Sequence, residues 1–331
     1  CRRAAVAARF PPGTNRCRQG ARFMTLMSTK HPFNSFEEEA AARFRALVRS
    51  ASIEATPRQI LTTDDLPALL PQGTSVYVPF LPKGRFSDTL EASRRLLDLG
   101  MQPVPHVPAR MAESRGQLRD WLAQMAESRI DRLLLIAGDS DSVAGPYPDT
   151  LAVFESGLLA EFPFQGIGVA AHPDGHPMAD RATLTQALNI KREYARSNST
   201  KLWVVTQFTF DAEIVIDWLQ SLGNILEEVP VYIGMAGPTR VKTLIAFAAQ
   251  CGVGASARAM LRRPGSARLL RAWTPEVMIR SLVQYCMSNP DTLLRGIHLF
   301  PFGGLRQSSQ WIQEHTGFEN DREQYHESSV Q

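Results

Sequence analysis

Eight short runs of apolar, largely β-branched residues recur along the chain, each followed by a loop and then by residues with helical periodicity. They are Ala51–Glu54, Val76–Phe80, Pro103–Val107, Arg132–Ala137, Gly166–Ala171, Leu202–Thr206, Val231–Met235 and Gly296–Phe300. A run such as Leu133-Leu134-Leu135-Ile136 is apolar at every position, the pattern of a parallel strand covered on both faces. Between runs, Asp211–Leu222 sets Ile214, Val215, Trp218, Leu219 and Leu222 on one face and stops at Gly223; the stretch from Asp88 through Leu96 and Leu97 stops at Gly100. Parallel neighbours need long crossovers, nearly always right-handed. Strand–helix alternation repeated eight times therefore predicts an α/β fold, a closed (β/α)8 TIM barrel in one domain. An open doubly wound sheet is the competing architecture, but Ser52-Ile53-Glu54-Ala55-Thr56-Pro57 carries none of the glycines its first phosphate-binding turn needs. Two further helices are expected around Ser256–Leu270 and Pro275–Met287.

With 331 residues, 44% of them hydrophobic, the chain has ample material for a barrel of about 250 residues. The barrel is expected over 34–315, with an N-terminal extension, 1–33, expected to be disordered, and a C-terminal tail, 316–331. Six arginines and no acidic residue precede Met24, so setting that arm aside takes the net charge from +3 to −3. A slightly acidic body argues against nucleic acid as a partner. The arm has the arginines of a transit peptide but little serine and no amphipathic face, and reads as upstream sequence. No run of 18 apolar residues offers a membrane span. Cys1, Cys17, Cys251 and Cys286 form no C-x-x-C pair, which points to a reducing, cytoplasmic setting. Exposed barrel helices leave room for a homo-oligomer.

Barrel enzymes gather their chemistry at the C-terminal ends of the strands. The polar residues there are Glu54, His106, Asp139, His172, His176 and Gln207. Carboxylates at strand ends, flanked by apolar residues, supply a general acid with a raised pKa when catalytic, and are solvated loop acids otherwise. His172 and His176 have the spacing of two metal ligands on a helix, but Pro173 and Pro177 break that helix and no third ligand follows, so no metal is expected. Gly252-Val253-Gly254-Ala255-Ser256 is a weak phosphate-turn signal, more often a helix cap. Phe300 and Phe302 suit either a planar ligand or the core.

From about Ser52 to Phe302 these residues resemble the methylenetetrahydrofolate reductase family. Ser52-Ile53-Glu54 is similar to its Ser-x-Glu, Pro105-His106 to its Pro-His, Ala137-Gly138-Asp139 to its Arg-Gly-Asp, and Thr206-Gln207-Phe208-Thr209-Phe210-Asp211 to its T-Q-x-x-F-D. Val169-Ala170-Ala171-His172-Pro173-Asp174-Gly175-His176-Pro177 resembles V-A-x-Y-P-E-x-H-P, and Leu188-Asn189-Ile190-Lys191-Arg192 resembles L-N-L-K-R. The resemblance implies reduction of 5,10-methylenetetrahydrofolate to 5-methyltetrahydrofolate by NADH or NADPH, usually through FAD. It implies Glu54 as general acid, with Asp139 both catalytic and holding the pterin, Gln207 on the pterin's polar edge and Phe247 against substrate. His106, Gly138, His172, His176 and Asn189 fall where the family binds its cofactor.

The flavin side departs from the family. Pro79 stands for a threonine, Ala137 for an arginine, His172 for a tyrosine and Glu193 for a lysine; on the substrate side, Thr243 replaces a glutamine. Proline has no N–H, alanine cannot hold phosphate and glutamate repels it. Gly234-Met235-Ala236-Gly237-Pro238 and Cys251-Gly252-Val253-Gly254-Ala255-Ser256 look like the flavin-independent reductases of actinobacteria. Direct hydride transfer is therefore expected; an FAD-dependent reductase and a non-catalytic folate-binding barrel are the alternatives.

Overall fold

A computed structural model describes residues 32–81, 83–138, 142–250, 253 and 272–316. The eight expected runs all become strands: β1 (Ser52–Glu54), β2 (Ser75–Val78), β3 (Gln102–Pro108), β4 (Arg132–Ile136), β5 (Gly166–Ala171), β6 (Lys201–Thr206), β7 (Val231–Ala236) and, after a two-residue ribbon of β8 (Thr239–Arg240) and β9 (Ala272–Trp273), β10 (Leu294–Phe300). They close a parallel barrel in the order β1-β10-β7-β6-β5-β4-β3-β2. The β8–β9 ribbon is antiparallel and pairs Thr239 with Trp273. The expected helix around Ser256–Leu270 and the Gly252–Ser256 turn, Val253 apart, lie outside the described residues, as do nearly all of the extension and the tail.

β3 is the least orthodox strand, because Pro103, Pro105 and Pro108 cannot donate to the ladder. Pro103 and Pro105 are two apart, so the donors they remove belong to one flank of the strand. Elsewhere the chain supplies strong local signals. Thr56 and Gln59 form a reciprocal capping box with Pro57 at the first helical position, which starts the helix Pro57–Thr62 three residues beyond Glu54. Asp211 caps Ala212–Leu222, and Asp180 caps Arg181–Ser197 through the Thr183 N–H at 2.8 Å.

Alternate strand residues face opposite sides. Ile53, Val76, Val107, Leu133, Leu135, Ile167, Val169, Val204, Ile233 and Leu299 belong to the large buried cluster shared with the surrounding helices. Their neighbours point into the barrel, and register pairs them in rings: Glu54 with Tyr77, Tyr77 with Val104, Gly168 with Trp203, Val205 with Tyr232, and Gly234 with His298. The lower interior is filled by Tyr77, Val104, Leu134 and Val205 with Trp203 and Tyr232. Gly168 and Gly296 make room for this aromatic plug, since a Cβ would lie 2.7 Å from the Trp203 indole or 2.8 Å from the Tyr232 ring. Trp203 Nε1 donates to the Tyr77 hydroxyl at 2.8 Å and closes the barrel at mid-height.

Candidate active site

Glu54 is the last residue of β1, half-buried at the C-terminal mouth of the barrel. The nearest imidazole is His106 of β3, whose Nε2 lies 4.0 Å from Glu54 Oε2. That nitrogen is buried and has no hydrogen-bond partner among the described residues. Burial pushes the His106 pKa down to about 4, so the ring is neutral near pH 7. A buried polar atom without a partner costs about 1–3 kcal/mol, and such costs persist where a group has another use.

A second imidazole, one that sequence reasoning passed over, lies beside it. His298 of β10 bonds the Ser52 hydroxyl through Nδ1 at 2.9 Å and packs on Tyr77 with ring centroids 4.4 Å apart. Burial, reinforced by His106, holds its pKa down at about 3. Its signal in the sequence was slight: one polar residue in the otherwise apolar run Gly296–Phe300, where a satisfied core histidine is the ordinary reading.

From His298 an aromatic wall climbs to the mouth. His298 meets Phe300 edge-on at 4.8 Å, and Phe300 lies near-parallel to Phe302. Phe302 stacks on Phe247 at 4.2 Å with an interplanar angle of 18°. Phe208 and Phe210 back this wall from the loop after β6, and Trp273 donates to the Ala236 carbonyl at 3.2 Å. Phe300, Phe302 and Phe247 are half-buried, packed against the small core of Phe208, Phe210, Ala236 and Leu244. They therefore serve the core while keeping ring surface at the mouth.

Gln207 leaves β6 with its N–H on the Ala171 carbonyl at 2.7 Å, and its side-chain carbonyl accepts from Phe208 N at 3.0 Å. That second bond fixes the amide's orientation. Gly138, after β4, has φ +94°, and a Cβ there would lie 3.2 Å from Pro108 Cβ; the loop needs glycine. Asp139 itself lies outside the described residues. Beyond β5, His172 and His176 meet edge-on at 4.7 Å across a turn whose Gly175 has φ +95°. His172 is lowered to about 4 by burial, then by His176 and Lys191. Asn189 is half-buried on the helix Arg181–Ser197.

Lys191, quoted in sequence only as part of a motif, is buried on that helix, and burial lowers it to about 8 against the opposing pull of Asp149. Its neighbour Arg192 is already committed, paired with Glu193 and, at 2.8 Å, with Glu227. Arg192 and then Arg196 hold the Glu193 carboxyl below its ordinary range. With Arg192 neutralised, Glu193 anionic, Pro79 lacking an N–H and Ala137 ending at a methyl group, these positions do not fit a flavin dinucleotide's pyrophosphate.

No family model matches the chain. Over 158 residues it is 32% identical to a 5,10-methylenetetrahydrofolate reductase of Pectobacterium carotovorum subsp. carotovorum, covering 46% of this chain and 50% of that protein. Over 135 residues it is 31% identical to the same enzyme of Salmonella typhimurium, covering 40% and 43%. The chain thus spans about half the length of these curated relatives. Among solved structures, a protein from Clostridium thermocellum described as binding two copies of 5-methyl-5,6,7,8-tetrahydrofolic acid covers 84% of this chain and 99% of its own, with a TM-score of 0.54. At 10% identity that likeness is one of fold alone.

Proposed function

We propose, from the premise that this chain is related to the methylenetetrahydrofolate reductases, that it reduces 5,10-methylenetetrahydrofolate to 5-methyltetrahydrofolate with NADH or NADPH by direct hydride transfer, without flavin. The observation that carries the reading is a carboxyl at the C-terminal end of β1, 4.0 Å from a buried imidazole nitrogen that has no hydrogen-bond partner among the described residues.

In this reading Glu54 is the general acid. Its proton goes to the folate nitrogen that leaves the methylene bridge; the C–N bond breaks and the carbon becomes an iminium. A bound reduced nicotinamide would supply a hydride to that carbon, so the folate gains one proton from Glu54 and one hydride, and the nicotinamide would leave oxidised. Neutral His106 adjoins the carboxyl without adding a positive charge that would favour its ionised form. The Phe247–Phe302 stack borders the pterin and excludes water from the iminium, and Gln207, held by its bond to Phe208 N, hydrogen-bonds the ring's polar edge. Asp139 is assigned to the pterin by family resemblance.

The poor fit of Pro79, Ala137, Arg192 and Glu193 to a flavin supports the direct route. Anaerobic turnover of methylenetetrahydrofolate by the whole chain, with each nicotinamide and with or without FAD, tests it. Equal rates without flavin are expected, with both substrates required in one ternary complex. Strict dependence on FAD with ping-pong kinetics would overturn direct transfer; binding of folate without turnover would leave a non-catalytic folate barrel.

A further inference from the structure

The opposite end of the barrel carries a second constellation. A cavity of about 340 Å³ opens among the first residues of the strands, at the N-terminal mouth. Its inner wall is aromatic, made by the faces of Tyr77, Trp203 and Tyr232 that the plug turns downward. Trp203 and Tyr232 are only half-buried, and the uncovered part of each lies against this cavity. Among the described residues, the charged ones lining it are all cationic: Arg132 opening β4, Lys201 opening β6 and Arg295 at the start of β10. The acid adjoining them is Asp131, 4.0 Å from Arg132 Nε; one nitrogen of Arg132 also donates to Gln102 Oε1 at 2.9 Å. Arg295 donates to the carbonyls of Thr292 and Leu294.

Like charges gathered around a concave aromatic surface repel one another and are relieved by an anion. An aromatic wall separately favours a planar ring, through stacking and burial of apolar area. Guanidinium groups match carboxylate and phosphate in geometry as well as charge. We propose that the N-terminal mouth is a second small-molecule site, which takes a planar aromatic anion with its ring against Trp203 and Tyr232 and its acidic group at Arg132, Lys201 and Arg295. The Trp203–Tyr77 hydrogen bond separates this site from Glu54, so occupancy here does not compete for the catalytic mouth. The inference stands independently of the folate reading.

Calorimetric titration of the whole chain at low salt tests it, with 2-naphthoate and 2-naphthyl phosphate as probes and 2-naphthamide as the uncharged control. Saturable binding of the anions is expected, at least about tenfold tighter than the amide and weakening as salt rises. The two anionic probes distinguish a carboxylate from a phosphate ligand. The pair Arg132→Glu and Lys201→Glu, both at partly exposed strand starts, should weaken binding at least about tenfold while leaving the thermal midpoint in place; Glu54→Gln should leave it unchanged. With 5-fluorotryptophan incorporated, the resonance assigned through Trp203→Phe should shift on binding. Absence of saturable binding, equal affinity for the amide, indifference to the charge reversal, or a Trp203 resonance that stays in place would each overturn the proposal.

Discussion

The two halves of the barrel interior are built from similar residues to different ends. Below mid-height, Tyr77, Trp203 and Tyr232 fill the cross-section, glycines yield to them, and the Trp203 N–H meets the Tyr77 oxygen. Above it, the interior holds two neutral imidazoles and a carboxyl, and one imidazole nitrogen has no hydrogen-bond partner among the described residues. The aromatic plug follows the rules of a packed core, whereas above it a buried polar atom goes unsatisfied among the described residues. The proposed acid Glu54 lies at the end where a buried polar atom goes unsatisfied, and variants at the two levels should separate stability from turnover.

Acid should expose it most strongly. His106 and His298 have folded pKa values lowered to about 4 and about 3, below an unfolded value of about 6.5. Their stability contribution is therefore complete above pH 6.5 and is lost as pH falls from there toward the folded values, because only the unfolded chain takes up the protons. The slope approaches about 1.4 kcal/mol per pH unit for each histidine. Urea midpoints measured from pH 7 to pH 4.5 should fall accordingly. His298→Asn should remove about one proton from that dependence, and Trp203→Phe, in the lower half, none. A slope unchanged by His298→Asn would refute the assignment.

Next in size is truncation of the plug. Trp203→Ala should cost about 3 kcal/mol of unfolding free energy, toward the lower end for a tryptophan because the ring is only half-buried. Turnover per folded molecule should stay within about a factor of three. A parallel loss of turnover would mean that the halves are coupled.

Glu54→Gln should do the reverse. Turnover should fall by a factor on the order of 10² or more, equivalent to about 2.7 kcal/mol of transition-state stabilisation. The urea midpoint should shift by less than the equivalent of about 1 kcal/mol, since the residue is half-buried at the rim. Near-normal turnover would end the acid assignment.

What the sequence disclosed divides along the same line. The lower and outer barrel was legible because period and composition report burial: all eight strands appear within two residues of the expected bounds, and Asp211 and Gly223 frame their helix as expected. The rim was legible only where a residue type is unusual at a strand end, as with Glu54 and His106. His298 and Lys191 were not, because a single polar residue on a buried stripe carries no mark of what it faces; only the closed barrel places His298 against Ser52 and Tyr77, and Lys191 near His172. The aromatic wall was half legible. Phe247, Phe300 and Phe302 each stood out, but their stacking order depends on a helix and a strand more than 40 residues apart.

That wall yields the smallest effect and the finest test of the division, because it belongs to both halves by composition and to the upper one by position. An aromatic pair contributes about 0.5–1.5 kcal/mol beyond the area it buries, and Phe247 stacks on Phe302 while only half-buried. Phe247→Leu preserves apolar bulk and removes the flat face, so the thermal midpoint should hardly move. If the stack borders the pterin, KM for methylenetetrahydrofolate should rise about 2- to 10-fold with kcat nearly constant, since a ring that packs equally on substrate and transition state affects binding alone. A fall in kcat at constant KM would instead make the wall part of the geometry that sets hydride distance, and an unchanged KM with a lowered midpoint would return Phe247 to the core.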